Sequence, residues 1–404
     1  MIFVGIDWAE VHHDACVMDD TGVVLARRRV PDNLEGLHEL YAVFAEHADD
    51  ANDVVIGIET ANGLLTRTLV AAGYQIFVIN PLAASRYRGR HTISKAKSDP
   101  GDAKMLADLV RTDRQNHRLF AEDSEEAEAI KVLARMHKNL VWARQQQVNH
   151  LRNALREFYP AAIQAFGTDL ASVEALAILA KAPTPELGWK LTVAQIQRTL
   201  EKAGRQRRLE SKASKIELCL RAPHAEAPPV VADAYGNTVS AAVVVIGSLN
   251  QQISELAQQM QLSFEKHPDA EIILSLPGLG SVLGARVIGE FGDAPNRFSD
   301  AKGRKNYAGT SPVTKASGTK HVVTARYVRK KRLADVCDRW AFCSLTGSPG
   351  ARRLYDRERA RGQTHGQALR RVANRWVGIL HGCLTNRQTY SEEIAWGAQL
   401  QKAA

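Results

Sequence analysis

Paired cysteine is the first thing this sequence lacks. Its 404 residues hold five cysteines, Cys16, Cys219, Cys337, Cys343 and Cys383, with no C-x-x-C pair among them. The odd number argues against a disulfide framework and predicts inert free thiols in a reducing compartment. No basic segment precedes the first acid, Asp7, and no apolar run approaches the ~18 residues that suggest a membrane span, so the chain reads as cytoplasmic. A His/Cys cluster at metal-ligand spacing is also missing, since His12 and His13 open a strand with no partner in sight. The most informative absence is of negative charge. Ala301 to Ala334 contains ten Lys and Arg and not one Asp or Glu, whereas a merely solvated face mixes both signs. A polyanion partner is the better reading.

What is present fits that partner. Residues 301–404 hold 21 Lys and Arg against 6 Asp and Glu, a net +15, which leaves −6 for the first 300 residues within a total of +9. At this length, and with 45% hydrophobic residues, two or three cores can be buried. The pattern predicts strands at "IFVGID" and on either side of the turn Thr21-Gly22, a helix over about 34–48, a strand over 54–59, a helix over 64–72 and a strand over 74–80. That βββαβαβ order, followed by a helix, predicts a mixed sheet of ribonuclease H-like type, with antiparallel hairpins first and right-handed parallel crossovers after. Asp123 and Glu126 open a long amphipathic helix that runs to Pro160, and Ile246, Leu249, Ile253, Leu256 and Met260 form a heptad seam on a second. The two could pair with each other or between subunits. Residues 182–229, proline-bearing around a basic helical piece, read as an insertion. The domains are therefore expected at 1–120, 121–268 and 269–404.

The stretch "KSDPGDAKM" sets Asp99 and Asp102 on one face of a helix start, just after the basic run "RYRGRHTISKAK". Two such carboxylates repel unless a cation lies between them. Asp7 on the first strand and Glu59 at the end of the fourth could converge on the same edge of the sheet. Hard oxygen ligands of this kind select Mg²⁺ or Mn²⁺, and two such ions can clamp both oxygens of a phosphodiester. Arg86, Arg88, Arg90, Lys95 and Lys97 would then hold the nucleic-acid backbone beside the metal. The blander reading makes Asp99 a helix cap and Asp102 a first-turn dipole partner.

Toward the C-terminus, the turn Pro277-Gly278-Leu279-Gly280 resembles a helix-hairpin-helix element, whose glycines (here Gly278 and Gly280) let backbone N–H groups approach a phosphate, and it reads equally as a tight αα corner. "YAGTSPVTKASGTK" offers Ser311 and Ser317 in a glycine-rich loop beside Lys315 and Lys320, where positive charge would activate a serine nucleophile. Arg329, Lys330, Lys331 and Arg332 read as a phosphate grip. Tyr307 and Tyr327 lie among cations and could stack on bases or stand in for serine as nucleophile, although core or surface packing is the better reading of each.

Taken in order, "GIDWAE", "GIET", "KSDPGDA", "LPGLG" and "YAGTSPVTKASG" resemble the DEDD transposases of bacterial insertion sequences, and among them the IS110 family of bridge-RNA-guided recombinases. The resemblance runs from residue 2 to about 390. It implies an N-terminal RuvC-like domain, a coiled-coil linker and a mainly helical C-terminal transposase domain, in a bacterial cytoplasmic, nucleoid-associated protein. It also implies a metal-binding tetrad at Asp7, Glu59, Asp99 and Asp102, and a catalytic serine at Ser317, with Ser311 in reserve, forming a 5′-phosphoserine link to DNA. By the same resemblance the partners are donor and target DNA and a noncoding bridge RNA, and the active form is a homodimer or homotetramer whose sites combine subunits. No recognition-helix signature appears, which suits base pairing as the carrier of sequence choice.

Two other readings compete. A RuvC-like hydrolase of branched DNA would use the four acids and leave Ser317 structural. An actin- or sugar-kinase-like ATPase shares the opening hairpin, but Trp8 and Glu10 follow Asp7 where small residues should receive phosphate, and no glycine-rich adenosine segment appears.

Overall fold

The computed structural model describes residues 1–59, 63–91, 98–295 and 297–400. It separates into two compact units, Met1–Glu122 and Asp123–Ala404.

In the first unit, β1 (Ile2–Trp8), β2 (His12–Met18) and β3 (Val24–Pro31) form an antiparallel meander. Asp19 sets its second turn by accepting from the N–H groups of Thr21 and Val23. After α1 (Leu34–Ala45) come β4 (Val54–Ile58), α2 (Leu64–Ala71), β5 (Gln75–Val78), α3 (Pro81–His91), α4 (Asp99–Asp113) and the short β6 (Arg118–Leu119). The sheet order is β3-β2-β1-β4-β5-β6, with β1, β4 and β5 parallel and β6 antiparallel at the edge. This is the mixed ribonuclease H-like sheet expected from the sequence.

Side-chain alternation along β1 assigns its two faces. Ile2, Val4 and Ile6 join α1's Leu40, Val43 and Phe44 in one core, while Phe3 joins Leu106, Leu109 and Val110 of α4 in the other. Gly5 and Gly57 are register partners on β1 and β4, and both lie on the α4 side. A Cβ at Gly5 would stand 1.9 Å from the Ala103 carbonyl oxygen, and one at Gly57 2.7 Å from a Val110 methyl. Two side-chain-free positions thus make a flat bed on which α4 lies almost in backbone contact with the sheet.

The second unit is built on two long helices, α5 (Glu125–Phe158) and, after five shorter ones, α11 (Pro229–Glu265). They run antiparallel. Ala127, Ile130 and Ala134 share a core with Met260 and Phe264, Arg144 donates to Asn250 at 2.9 Å midway, and Leu151 and Leu155 share a second core with Val239 and Ile246. The heptad seam therefore pairs within one chain. By composition α11 is long and apolar enough to cross a membrane, but its buried residues pack against α5 and its neighbours.

Helix α5 begins one residue later than the Asp123 signal suggested. Ser124 is the N-cap and accepts from Ala127 N. Asp123 instead accepts from the backbone N–H groups of Asp293 and Ala294 and pairs with Arg297 at 2.7 Å, a long-range use that local sequence cannot disclose. Residues 182–229 are also more than an insertion. α6 (Pro160–Phe166), α7 (Val173–Lys181), α8 (Pro185–Lys190), α9 (Val193–Lys202) and α10 (Leu209–Leu220) fold into the second core, with Ile196, Leu200, Ala213, Ile216 and Leu220 buried.

The remaining chain supplies α12 (Ala270–Leu274), α13 (Ser281–Phe291), α14 (Ala301–Ala308), a hairpin of β7 (Val313–Ser317) and β8 (Lys320–Thr324), then α15 (Lys331–Ser344), α16 (Pro349–Ala360), α17 (His365–Asn386) and α18 (Glu392–Leu400). Trp340, Trp376 and Trp396 are fully buried among these helices. Each indole N–H has a partner: Pro277 O at 3.0 Å, Ser344 Oγ at 2.7 Å and Tyr390 Oη at 3.0 Å. Large apolar rings with satisfied donors fix this core in one arrangement.

Candidate acid site and nucleic-acid interface

The alternation that puts Phe3 and Gly5 against α4 puts Asp7 on the same face, just past the last paired position, Ile6 with Ile58. Glu59 follows Ile58 and continues the Val55, Gly57 parity, so the two acids stand at the C-terminal ends of neighbouring parallel strands on the α4 side. The first turn of α4 brings Asp99 and Asp102. Ser98 occupies the N-cap position without a side-chain cap bond, and Asp99 is the first helical residue, so Asp99 is not the cap. Its side chain is half-exposed, whereas Asp102 is only 5% exposed.

A buried carboxylate needs a counterion, and Asp102 has one. Arg88 on α3 donates to Asp102 Oδ1 at 2.6 Å. Tyr87 donates to Asp108, which also takes the Arg111 guanidinium at 2.6 Å, so α3 is pinned to α4 at two places. Arg88 was expected to face a phosphate, and in this structure it holds an acid of the candidate metal set. Arg86 and Arg90 on the same helix are exposed. Lys95 and Lys97 lie outside the described residues.

Sequence reasoning missed a second contribution. Asp14 sits opposite Asp7 in the β1–β2 ladder, on the same face. Ligand atoms of His12, Asp14 and Asp99 all lie within 4.8 Å of one another. His12 was taken to have no metal-spaced partner; its partners are Asp14, two residues on along the strand, and Asp99, from a helix 87 positions away. Arg29 already neutralises this group, holding Asp14 through two bonds of 3.1 and 2.9 Å and standing 3.9 Å from Asp99. Among the described residues, the ligand atoms that come together are those of His12 and Asp14 on β2 and Asp99 on α4; strand parity sets Asp7 and Glu59 on the same face of the sheet end without bringing them into that group.

In the second unit, the Ser311–Ser317 stretch is not one loop. Ser311 lies in the turn after α14, and Ser317 ends β7. The β-branched residues of "PVTKAS" and "HVVT" around Gly318-Thr319 make a two-residue hairpin. Ser317 pairs directly with Lys320, and Lys315 lies two residues back on the same strand, so all three share one ribbon face. Apart from the half-buried Val313, both strands are exposed along their length.

The turn Pro277–Gly280 does join two helices, α12 and α13. Gly278 has φ +85° and would place a Cβ 2.5 Å from the Ser344 backbone nitrogen, so its missing side chain serves packing against α15. Gly280 is exposed with open space around it, at the start of α13.

Of the basic run, Lys331 is exposed and Arg329 packs its stem over Gly309. Lys330 donates to Tyr307 Oη at 2.5 Å, while Arg332 donates to Asn139 at 2.7 Å and lies 5.0 Å from the Trp142 ring centroid. Tyr307 packs against Phe291 and Phe298, and Tyr327 is 87% exposed. Beneath Trp142, Arg286 and Lys138 meet Asp335 at 2.6 and 3.0 Å. Burial would raise the Asp335 carboxyl, but these two hydrogen-bonded cations outweigh it and hold it below the usual range. His137 is pushed the other way, its pKa lowered by burial and then by Arg286, Lys138 and Arg144.

A ribonuclease H-like sheet with carboxylates at the ends of β1 and β4 and on the first turn of the helix across them defines a DEDD-type nucleic-acid enzyme. Two family models match: a DEDD transposase model of the IS110 type over residues 4–160, and the model described as "Transposase IS116/IS110/IS902 family" over residues 270–355. The chain is 44% identical over 407 residues, covering all of itself and 98% of the relative, to "Mini-circle putative transposase for IS117" of Streptomyces coelicolor. It is 28% identical to "Insertion element IS900 uncharacterized 42 kDa protein" of Mycobacterium paratuberculosis, over 96% of this chain and 97% of that one. It is 26% identical to "Insertion element IS110 uncharacterized 43.6 kDa protein" of Streptomyces coelicolor, over 99% and 98%. The chain belongs to the IS116/IS110/IS902 family of insertion-sequence transposases.

Proposed function

We propose that this transposase exchanges DNA strands through a covalent serine intermediate, guided by a noncoding bridge RNA, with Mg²⁺ or Mn²⁺ at Asp7, Glu59, Asp99 and Asp102. The observation that carries the serine assignment is the ribbon face on which Ser317 stands directly across from Lys320 and two residues from Lys315. The lysines draw a phosphodiester to that face and lower the cost of charge on the attacking oxygen. Ser317 Oγ bonds to phosphorus, the bond from phosphorus to the 3′ oxygen breaks, and the proton lost by the serine is balanced by one taken up at that 3′ oxygen. The 5′-phosphoserine keeps the bond energy, and a 3′-hydroxyl from another strand reverses the step.

A divalent ion bound by the four acids supplies electrostatic stabilisation of a phosphodiester and its leaving oxygen. Asp102 joins such a set by sharing or releasing Arg88, which is then free to meet backbone phosphate. In this reading residues 1–120 carry the acid chemistry, 121–268 the helical span and 269–404 the serine, in a homodimer or homotetramer.

The test is a denaturing gel of purified protein with Mg²⁺, labelled element-junction and target DNA, and the element's RNA. A protein-linked DNA band that disappears in Ser317→Ala but persists in Ser311→Ala is expected. Free cut ends unaffected by Ser317→Ala would overturn the assignment and move the chemistry to the acids, as in a RuvC-like hydrolase.

A further inference from the structure

Between α14, α16 and α17 lies a cavity of about 390 Å³ lined by Lys305, Arg357, Arg361, Arg371 and Arg375, with Glu358 and Asn374 completing the polar wall. The spacing makes this a built surface. Arg371, Asn374 and Arg375 fall on one face of α17 at three- and four-residue steps, and Leu354, Arg357 and Glu358 do so on α16, with Arg361 at its C-cap. Five cations face one carboxylate, and that carboxylate, nearly buried, is met by Arg361 at 3.2 Å and Arg357 at 3.6 Å. Arg375 gives one N–H to the Ala395 carbonyl, yet its Nε is buried without a hydrogen-bond partner. Such an excess of convergent, donor-only side chains calls for an oxyanion, and guanidinium groups match phosphate by paired hydrogen bonds.

The cavity is tied to the serine ribbon. The Thr310 hydroxyl meets Asn374 Oδ1 at 3.2 Å, and the Lys305 carbonyl accepts from the N–H of Thr310 at 3.2 Å. From Val313 to Ser317 the strand rises about 13 Å, roughly four base steps of a duplex.

We infer that this cavity is a phosphate-binding site that takes a backbone phosphate of the DNA strand, a few nucleotides from the one presented to Ser317. The choice of DNA rests on the function proposed above, since the ribbon whose foot the cavity holds is assigned there to DNA. The binding chemistry itself needs only a phosphodiester.

The experiment measures the affinity of full-length protein for labelled element-end duplex, and separately for the RNA, by fluorescence anisotropy between about 50 and 200 mM salt. Arg371→Gln, an exposed position, and Arg357→Gln should each weaken DNA binding several-fold and lower the slope of log affinity against log salt by about 0.9. Arg352→Gln, whose residue pairs with Asp356 outside the cavity, should leave the slope unchanged. DNA slopes equal to wild type in both cavity variants, with unchanged melting temperatures, would overturn the inference, and a loss confined to RNA would overturn the choice of DNA. Lost slope in the cavity variants, together with no covalent band from the wild-type protein, would sink the serine chemistry while leaving the phosphate site standing.

Discussion

A single methyl group placed on residue 5 would meet the carbonyl oxygen of Ala103 at 1.9 Å and the amide nitrogen of Ala107 at 2.3 Å. Both are helix backbone, so relief requires moving α4. Gly5→Ala is expected to destabilise the first unit by about 3 kcal/mol, the upper part of the usual overpacking range. Gly89→Ala, with nothing within 4 Å of its Cβ, should be tolerated, and paired calorimetric melts decide between them. At this scale the sequence displayed the acids but not their partners. Asp99 and Asp102 could be set on one helix face from their three-residue step alone, and Asp7 and Glu59 were expected beside them from the order of strands in the sheet. Arg88 as the counterion of Asp102, and Asp14 with His12 as neighbours of Asp99, depend on how α3, α4 and β2 meet, and no local rule contains that.

At the scale of elements, α5 belongs to two cores. Its first turns pack with α13 and the C-terminal helices, and its last turns with α6 to α10. Leu155 is fully buried in the second group, so Leu155→Ala should cost about 2–5 kcal/mol. Hydrogen exchange should quicken in α6, α9 and α10 while α13, α15 and α17 keep their protection. Uniform loss across both groups would mean that α5 unfolds as one cooperative piece. The amphipathic stripe of α5 and the heptad seam of α11 were readable in the sequence because apolar residues recur there at three- and four-residue steps. The hairpin β7–β8 could have been read too, from β-branched residues flanking Gly318-Thr319; its serines and glycines suggested a loop instead.

For the whole molecule, the division at residue 122 leaves each unit with its own cores, two in the first and two in the second. Residues 123–404 expressed alone should therefore melt cooperatively with native helical content, as seen by circular dichroism. A broad, non-cooperative melt would show that this part needs the sheet unit to fold. The mixed sheet was legible because its strand order follows from run length and turn signals. The helical arrangement of 160–220 was not, since its short helices owe their places to the core they share with α5 and α11. The serine ribbon has a consequence for timing. Two strands without a packed face are marginal by themselves, and among the described residues no packed neighbour fixes the aim of the exposed Ser317 hydroxyl. For the nucleophile proposed at that position, the missing order would have to come from whatever binds the ribbon, which ties cleavage to capture of the substrate.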